Sequence, residues 1–185
     1  AIANISKKLP FSNKLTLHTS GSVNMHHLDK KNHRGVFYPL QTFTKDAVLN
    51  FEDVPICIEV ERKSDYSIVK KLADESGGII YRINSDQRVA LHLAAVFVNN
   101  FVNHLYFLAD EICNKNDIPF EILYPIIKET ATKINSLSTF ESQTGPAKRN
   151  DTETLEKHQK LLSGNKLDIY TMLTKSIQRT HGKKL

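Results

Sequence analysis

Apolar positions along the chain follow two different periods. In the first part, short apolar runs alternate with helical spacing. Leu15-Thr16-Leu17-His18 reads as a strand that ends in the turn Thr19-Ser20-Gly21. Residues 35–38 form a second short run, stopped by Pro39, and residues 55–60 a third. Residues 64–76 have helical spacing, with Ile68, Val69, Leu72 and Ala73 on one face and Gly77-Gly78 as the stop. Residues 79–83 make a fourth strand. Strand–helix–strand alternation predicts an α/β sheet, parallel for the most part. Ile2, Ile5 and Leu9 also follow helical spacing, and a helix that short needs something to pack on. The chain starts at Ala1 without an initiator Met, so we expect a fragment of a longer protein or a sequence whose beginning is omitted.

After residue 84 strand signals stop. Asn84 and Gln87 form a capping box for a long helix over 85–114. Further helices are predicted over 119–134, opened by Pro119, then over 152–162 and 167–178. The expected organisation is an α/β part at 1–83 and an all-helical part at 84–185.

The long helix is apolar on nearly every side at residues 91–98, which predicts a buried central helix. Yet His92, Asn99 and Asn103 recur on one face, with Arg88 one turn earlier, and Asn100 and His104 make a second polar pair. Burying such groups without partners costs a few kcal/mol, about 2 or more each. They therefore face other helices, a subunit interface, water or a ligand. Polar groups converging in an apolar wall are also how ligand clefts are built.

Composition narrows the classes. The formal charge of +5 over 185 residues is spread along the chain, and its densest cluster is His181-Gly182-Lys183-Lys184. No nucleic-acid-binding signature accompanies it, so neither a nucleic-acid partner nor a membrane partner is expected. The longest apolar stretch, 91–98, is far too short to span a bilayer. Cys57 and Cys113 are isolated, which suits a reduced, cytoplasmic protein. His26, His27 and His33 lack carboxylate or thiol ligands at metal spacing, and no metal site is expected. Ser20 lacks the GxSxG context of a nucleophile.

The run Thr144-Gly145-Pro146-Ala147-Lys148-Arg149-Asn150-Asp151 joins two helical patterns. It packs a turn, two cations and a helix start, capped by Asn150 or Asp151, into eight residues. It suits anion binding or a well-made helix junction.

Four segments together resemble one family: Leu17-His18-Thr19-Ser20-Gly21-Ser22, Tyr38-Pro39-Leu40-Gln41-Thr42-Phe43, the helix from His92 to Asn100, and Gln143 to Asp151. Their order and spacing resemble the Rossmann-like proteins with a C-terminal DUF2520 domain. These are NADP-dependent or F420-dependent oxidoreductases related to the 6-phosphogluconate and 3-hydroxyisobutyrate dehydrogenases. The resemblance implies the C-terminal part of a Rossmann-like sheet followed by a helical domain of the 6-phosphogluconate dehydrogenase type. It also implies a homodimer formed through that domain. The glycine-rich dinucleotide fingerprint of the family's N-terminal half does not occur in these residues. Tyr38 stands where the family usually has a histidine, and a phenol with a pKa near 10 is a poorer proton donor at neutral pH.

By this resemblance the protein would transfer hydride between NADP(H), or alternatively F420 or NAD, and a small substrate held between the two parts. His92 would act as acid/base or orienting group and Asn99 as a hydrogen-bond donor. Thr19, Ser20, Gly21, Tyr38, Pro39, Gln41 and Thr42 would bind substrate or cofactor from the sheet side. Thr144, Gly145, Pro146, Lys148 and Arg149 would do so from the helical side. The alternative is a non-catalytic ligand-binding or dimerisation module.

Overall fold

The computed structural model describes residues 1–45 and 50–182. Two compact units make up the chain, Ala1–His104 and Leu105–Leu185. The division falls inside the long helix and not at its start, because the first turns of that helix pack with the sheet.

The first unit holds a four-stranded sheet in the order β1 (Leu15–His18), β2 (His33–Pro39), β3 (Pro55–Val60), β4 (Ile79–Arg82). β1/β2 and β3/β4 are parallel, but β2/β3 is antiparallel, so the sheet is mixed. Apolar alternation fixes a strand's faces and leaves its direction open. The direction here is set where the chain turns back: Leu40 N donates to the Pro55 carbonyl, 2.8 Å away, and closes β2 onto the start of β3. Pro39 is the last residue of β2 and does not stop the strand ahead of itself. It has no N–H to give and costs little at a strand end.

One sheet face is apolar. Ile56 and Ile58 of β3 pack with Val69 and Ala73 of α2 (Tyr66–Glu75), flanked by Leu15, Leu17, Phe37, Val60 and Ile80. α1 (Ile2–Lys7) precedes the sheet. Val69 and Ala73 are the buried positions of α2, whereas Ile68 and Leu72 are exposed, so the buried stripe is narrower than the spacing suggested. Gly77 ends the helix at φ 83, a conformation open to glycine.

The opposite sheet face carries His18, Val36, Tyr38, Cys57 and Glu59, paired in register across the strands. α3 (Ser85–Ala95) returns along this face. Both halves of its capping box form: Gln87 N donates to Asn84 Oδ1 and Asn84 N donates to Gln87 Oε1, each at 2.9 Å. A π-helical turn, Val96–Phe101, links α3 to α4 (Val102–Lys115). Together they form one continuous helix, Ser85–Lys115, long and apolar enough to cross a membrane by length and composition. No single apolar run had indicated that. The expected burial is also absent within this chain: Phe97 is 60% and Val98 74% exposed. Spacing records which positions are apolar, not what covers them.

The second unit is all helical. Beyond the end of α4 it contains α5 (Tyr124–Thr132), α6 (Pro146–Arg149), α7 (Thr152–Leu161) and α8 (Gly164–His181). Short 3-10 turns, Phe120–Leu123 and Lys133–Asn135, flank α5, so the stretch expected as one helix over 119–134 is segmented. Leu108, Cys113, Ala147 and Leu155 are its buried apolar side chains. Lys166 of α8 pairs with Glu111 of α4 at 3.0 Å. Of the basic C-terminal cluster, Lys183 and Lys184 lie outside the described residues.

Candidate functional site

Parallel pairing of β1 with β2 puts their carboxyl ends on one edge of the sheet, the edge where open α/β sheets bind ligands. The loop after β1 and the segment after β2 leave from that edge, and α3 reaches it one turn before the π-helical segment. There Tyr38 Oη and His92 Nδ1 form a hydrogen bond of 3.1 Å, their rings edge to face with centroids 6.2 Å apart. Gly21 closes one side of the pair. A β-carbon on it would sit 2.8 Å from His92 Nδ1 and from Tyr38 Cζ and Oη. Glycine is required here by close approach of the backbone.

The pair opens into a cavity of about 330 Å³ lined by Tyr38, Leu40, Gln41, Thr42, His92 and Asn99, among others. Leu91, Ala95, Val98 and Asn100 complete much of the wall. Neighbouring Asn99 and Asn100, both in the lining, lie within the π turn. An extra residue in the turn widens the helix and re-aims side chains, and such turns recur at functional sites. Asn103, expected on the same face, is not in the lining.

Behind the pair lies a buried ion pair. Arg88 Nη1 donates to Glu59 Oε2 at 2.6 Å, and Nη2 donates to the Val23 carbonyl at 2.6 Å. Nε donates to the Ser20 carbonyl at 3.2 Å, and Ser85 Oγ accepts a further bond from Nη2. Ser85 in turn donates through Oγ and N to the Glu59 carboxylate. Arg88 is fully buried, its charge matched by Glu59 and its donors used on the loop after β1. The sequence pattern singled out Arg88 but missed Glu59 and Ser85. An acid inside the apolar run 55–60 was the available signal, since a charge there needs a partner.

His18 Nδ1 accepts from Ser20 N at 3.2 Å. Burial, then the Arg88 charge, hold its pKa below the usual histidine value, with a smaller opposing pull from the Asn24 backbone. Burial, with a smaller contribution from Cys57, pushes the Tyr38 phenol up. Burial also raises the Cys57 thiol.

The remaining sequence candidates fall into two groups. Ser20 and Gly21 sit in the loop tied by Arg88, and Thr19 is exposed beside them. Pro39 ends β2, between Tyr38 and the lining residues. Thr144, Gly145, Pro146, Lys148 and Arg149 belong to the second unit, where they build a helix junction. Gly145 takes φ 103, Asn150 adopts the left-handed conformation, and Asp151 caps α7 through Thr154 N at 3.1 Å. Lys148 Nζ donates to the Gln143 carbonyl at 2.7 Å, and Arg149 lies 4.0 Å from Asp151. Lys148 thus spends one donor on the junction, while Arg149 is a largely exposed cation beside it. His33 pairs with Asp65 at 3.2 Å and His27 Nδ1 lies 3.3 Å from the Asn24 carbonyl. Among the described residues no cluster of three potential ligands could hold a metal.

A dinucleotide pyrophosphate needs a glycine-rich turn opening a helix. Gly21 follows β1, but the turn after it is the short 3-10 segment Met25–His27 and the glycine contacts the Tyr38–His92 pair. The described residues do not themselves form that grip.

The chain thus combines a Rossmann-like α/β sheet with an all-helical unit that follows it, and carries a polar-ended cavity at the carboxyl edge of β1 and β2. Residues 54–177 match the model of a domain of unknown function, DUF2520, and the chain belongs to that family. It is similar to the putative NADP oxidoreductase BF3122 from Bacteroides fragilis, with 38% identity and a TM-score of 0.82 over 89% of this chain. It spans 65% of that protein's length. Protein TM1727 from Thermotoga maritima shares the fold, with a TM-score of 0.77, 24% identity, and coverage of 97% of this chain and 73% of that one. No curated protein matches.

Proposed function

We propose that this chain supplies the substrate side of an oxidoreductase that moves hydride between NADP(H) and a small molecule. One observation carries the reading: the Tyr38–His92 pair, roofed by Gly21, opens into a polar-ended cavity at the carboxyl edge of β1 and β2. The 38% identity to a protein named as an NADP oxidoreductase supports the choice of cofactor. In this reading His92 holds or accepts a proton at the ligand, and Asn99 orients it through its amide. Lys148, with donors beyond the one given to the Gln143 carbonyl, and the exposed Arg149 contact an anionic group in this reading. Titration of the full-length protein with NADPH, NADH and reduced F420, followed by cofactor fluorescence, tests the reading. Saturable NADPH binding supports it, and no binding of any of the three sinks the cofactor claim.

A second reading, a non-catalytic ligand-binding or dimerisation module, has its own observation. Val89, Leu93, Phe97, Phe101 and Leu105 follow four-residue steps along the long helix and are all exposed. We read the occupant of this stripe as a second copy of the chain. The double change His92→Ala with Asn99→Ala separates the two readings: a persisting dimer with undiminished ligand binding makes the polar stripe architectural.

A further inference from the structure

We propose that the Tyr38–His92 cavity takes an uncharged small molecule, a ketone or alcohol. The pair holds its oxygen, and its short apolar body lies along Leu91, Ala95 and Val98. The proposal rests on reading this cavity as the substrate site and adds the ligand's chemical class.

Hydrogen-bond accounting comes first. If the Tyr38 hydroxyl donates to Nδ1, a neutral His92 carries its proton on Nε2 and has that donor to spare. If Nδ1–H donates to Oη instead, the phenol hydrogen is the spare donor. Either tautomer leaves one donor for an oxygen acceptor. The raised phenol pKa keeps Tyr38 protonated through the neutral range, so neither arrangement depends on ionising it.

Charge comes next. An anion brought out of water needs a compensating cation, or it loses several kcal/mol, on the order of 5. The fixed cation behind the pair is Arg88, whose charge Glu59 already balances and whose donors go to Ser20, Val23 and Ser85. It is fully buried and is not among the cavity's lining residues, so it offers no exposed charge to a ligand carboxylate or phosphate. On the cavity wall the polar groups are the amides of Gln41, Asn99 and Asn100 and the Thr42 hydroxyl, which match neutral carbonyl and hydroxyl groups as donors and acceptors. Leu91, Ala94, Ala95, Val96 and Val98 give the apolar surface. At about 330 Å³ the cavity is at the small end of ligand pockets, enough for a short or single-ring compound.

Two probes of equal shape test this: cyclohexanone, and cyclohexanecarboxylate as its anionic counterpart. Each is titrated into the protein, following the His92 ring resonance by NMR, assigned from a His92→Gln variant. Cyclohexanone is expected to shift that resonance saturably, and the carboxylate to bind at least about tenfold more weakly. Tyr38→Phe is expected to weaken cyclohexanone binding about tenfold, and Asn99→Ala, on an exposed helix face, supplies a second variant should Tyr38→Phe perturb folding. Equal or tighter binding of the carboxylate overturns the proposal. So does failure of both probes at tens of millimolar, or indifference of cyclohexanone binding to both variants. NADPH binding is a separate readout. Ketone binding without NADPH binding removes the oxidoreductase and keeps this site. NADPH binding with carboxylate preference keeps the oxidoreductase and removes the neutral-ligand class.

Discussion

At Gly21 the backbone comes so close to Tyr38 and His92 that a methyl group has no place to go. Gly21→Ala therefore pushes the loop or the pair aside. We expect a loss of about 1–3 kcal/mol in denaturant unfolding and a displaced His92 ring resonance. Arg88 is a harsher case. Arg88→Ala leaves the Glu59 carboxylate buried without its cation and frees the carbonyls of Ser20 and Val23. The expected cost is about 3–5 kcal/mol by urea titration. A loss below about 1 kcal/mol would show that the pair is solvated in solution.

Among the elements, α3 shows how much a local signal can settle. Asn84, Gln87 and the apolar run beyond them announce the start of the helix, and both capping bonds form. Asn84→Ala is expected to cost about 1 kcal/mol, read as a lowered thermal midpoint. The strands at 15–18 and 55–60 were legible for the same reason, since alternation and flanking turns are local. What was illegible depends on partners distant in sequence. The antiparallel β2/β3 pairing follows from a turn-back closed by Leu40 and Pro55. The π turn, which holds the cavity-lining Asn99 and Asn100, leaves no mark in a 3.6-residue pattern. Of the candidate site, Tyr38, His92, Asn99, Gln41 and Thr42 do line one cavity. Lys148 and Arg149, expected as anion contacts, lie in the second unit, where Lys148 donates to the Gln143 carbonyl and Arg149 lies 4.0 Å from Asp151.

For the whole molecule, one buried imidazole gives stability a pH dependence. The pKa of His18 is lowered in the fold, first by burial and then by Arg88. Below the ordinary histidine value of about 6.5 the unfolded chain takes up a proton that the native state resists. The contribution of His18 is therefore complete above that value and is lost as pH falls through the window beneath it. Urea midpoints measured between about pH 7.5 and 5.5 are expected to drop, and His18→Gln is expected to flatten part of that slope. An unchanged slope would rule out His18 as the source. Association is the other property at this scale. Phe97→Asp, in the middle of the exposed stripe, is expected to shift the solution mass from dimer to monomer, measured by light scattering, with the helical content kept. A monomeric wild type would remove the second copy as the stripe's occupant.

The bonds that Arg88 sends into the loop after β1 all end on main-chain oxygens, those of Ser20 and Val23. A carbonyl is the same atom whatever residue carries it. The two anchoring bonds thus make no reference to the Val23 side chain, whereas the Ser20 hydroxyl accepts from Ser22 N at 3.3 Å and belongs to the loop's own bonding. Descendants of this chain could exchange residue 23 while inheriting the same scaffold. Gly21, hemmed in by Tyr38 and His92, is the position such drift would have to leave alone.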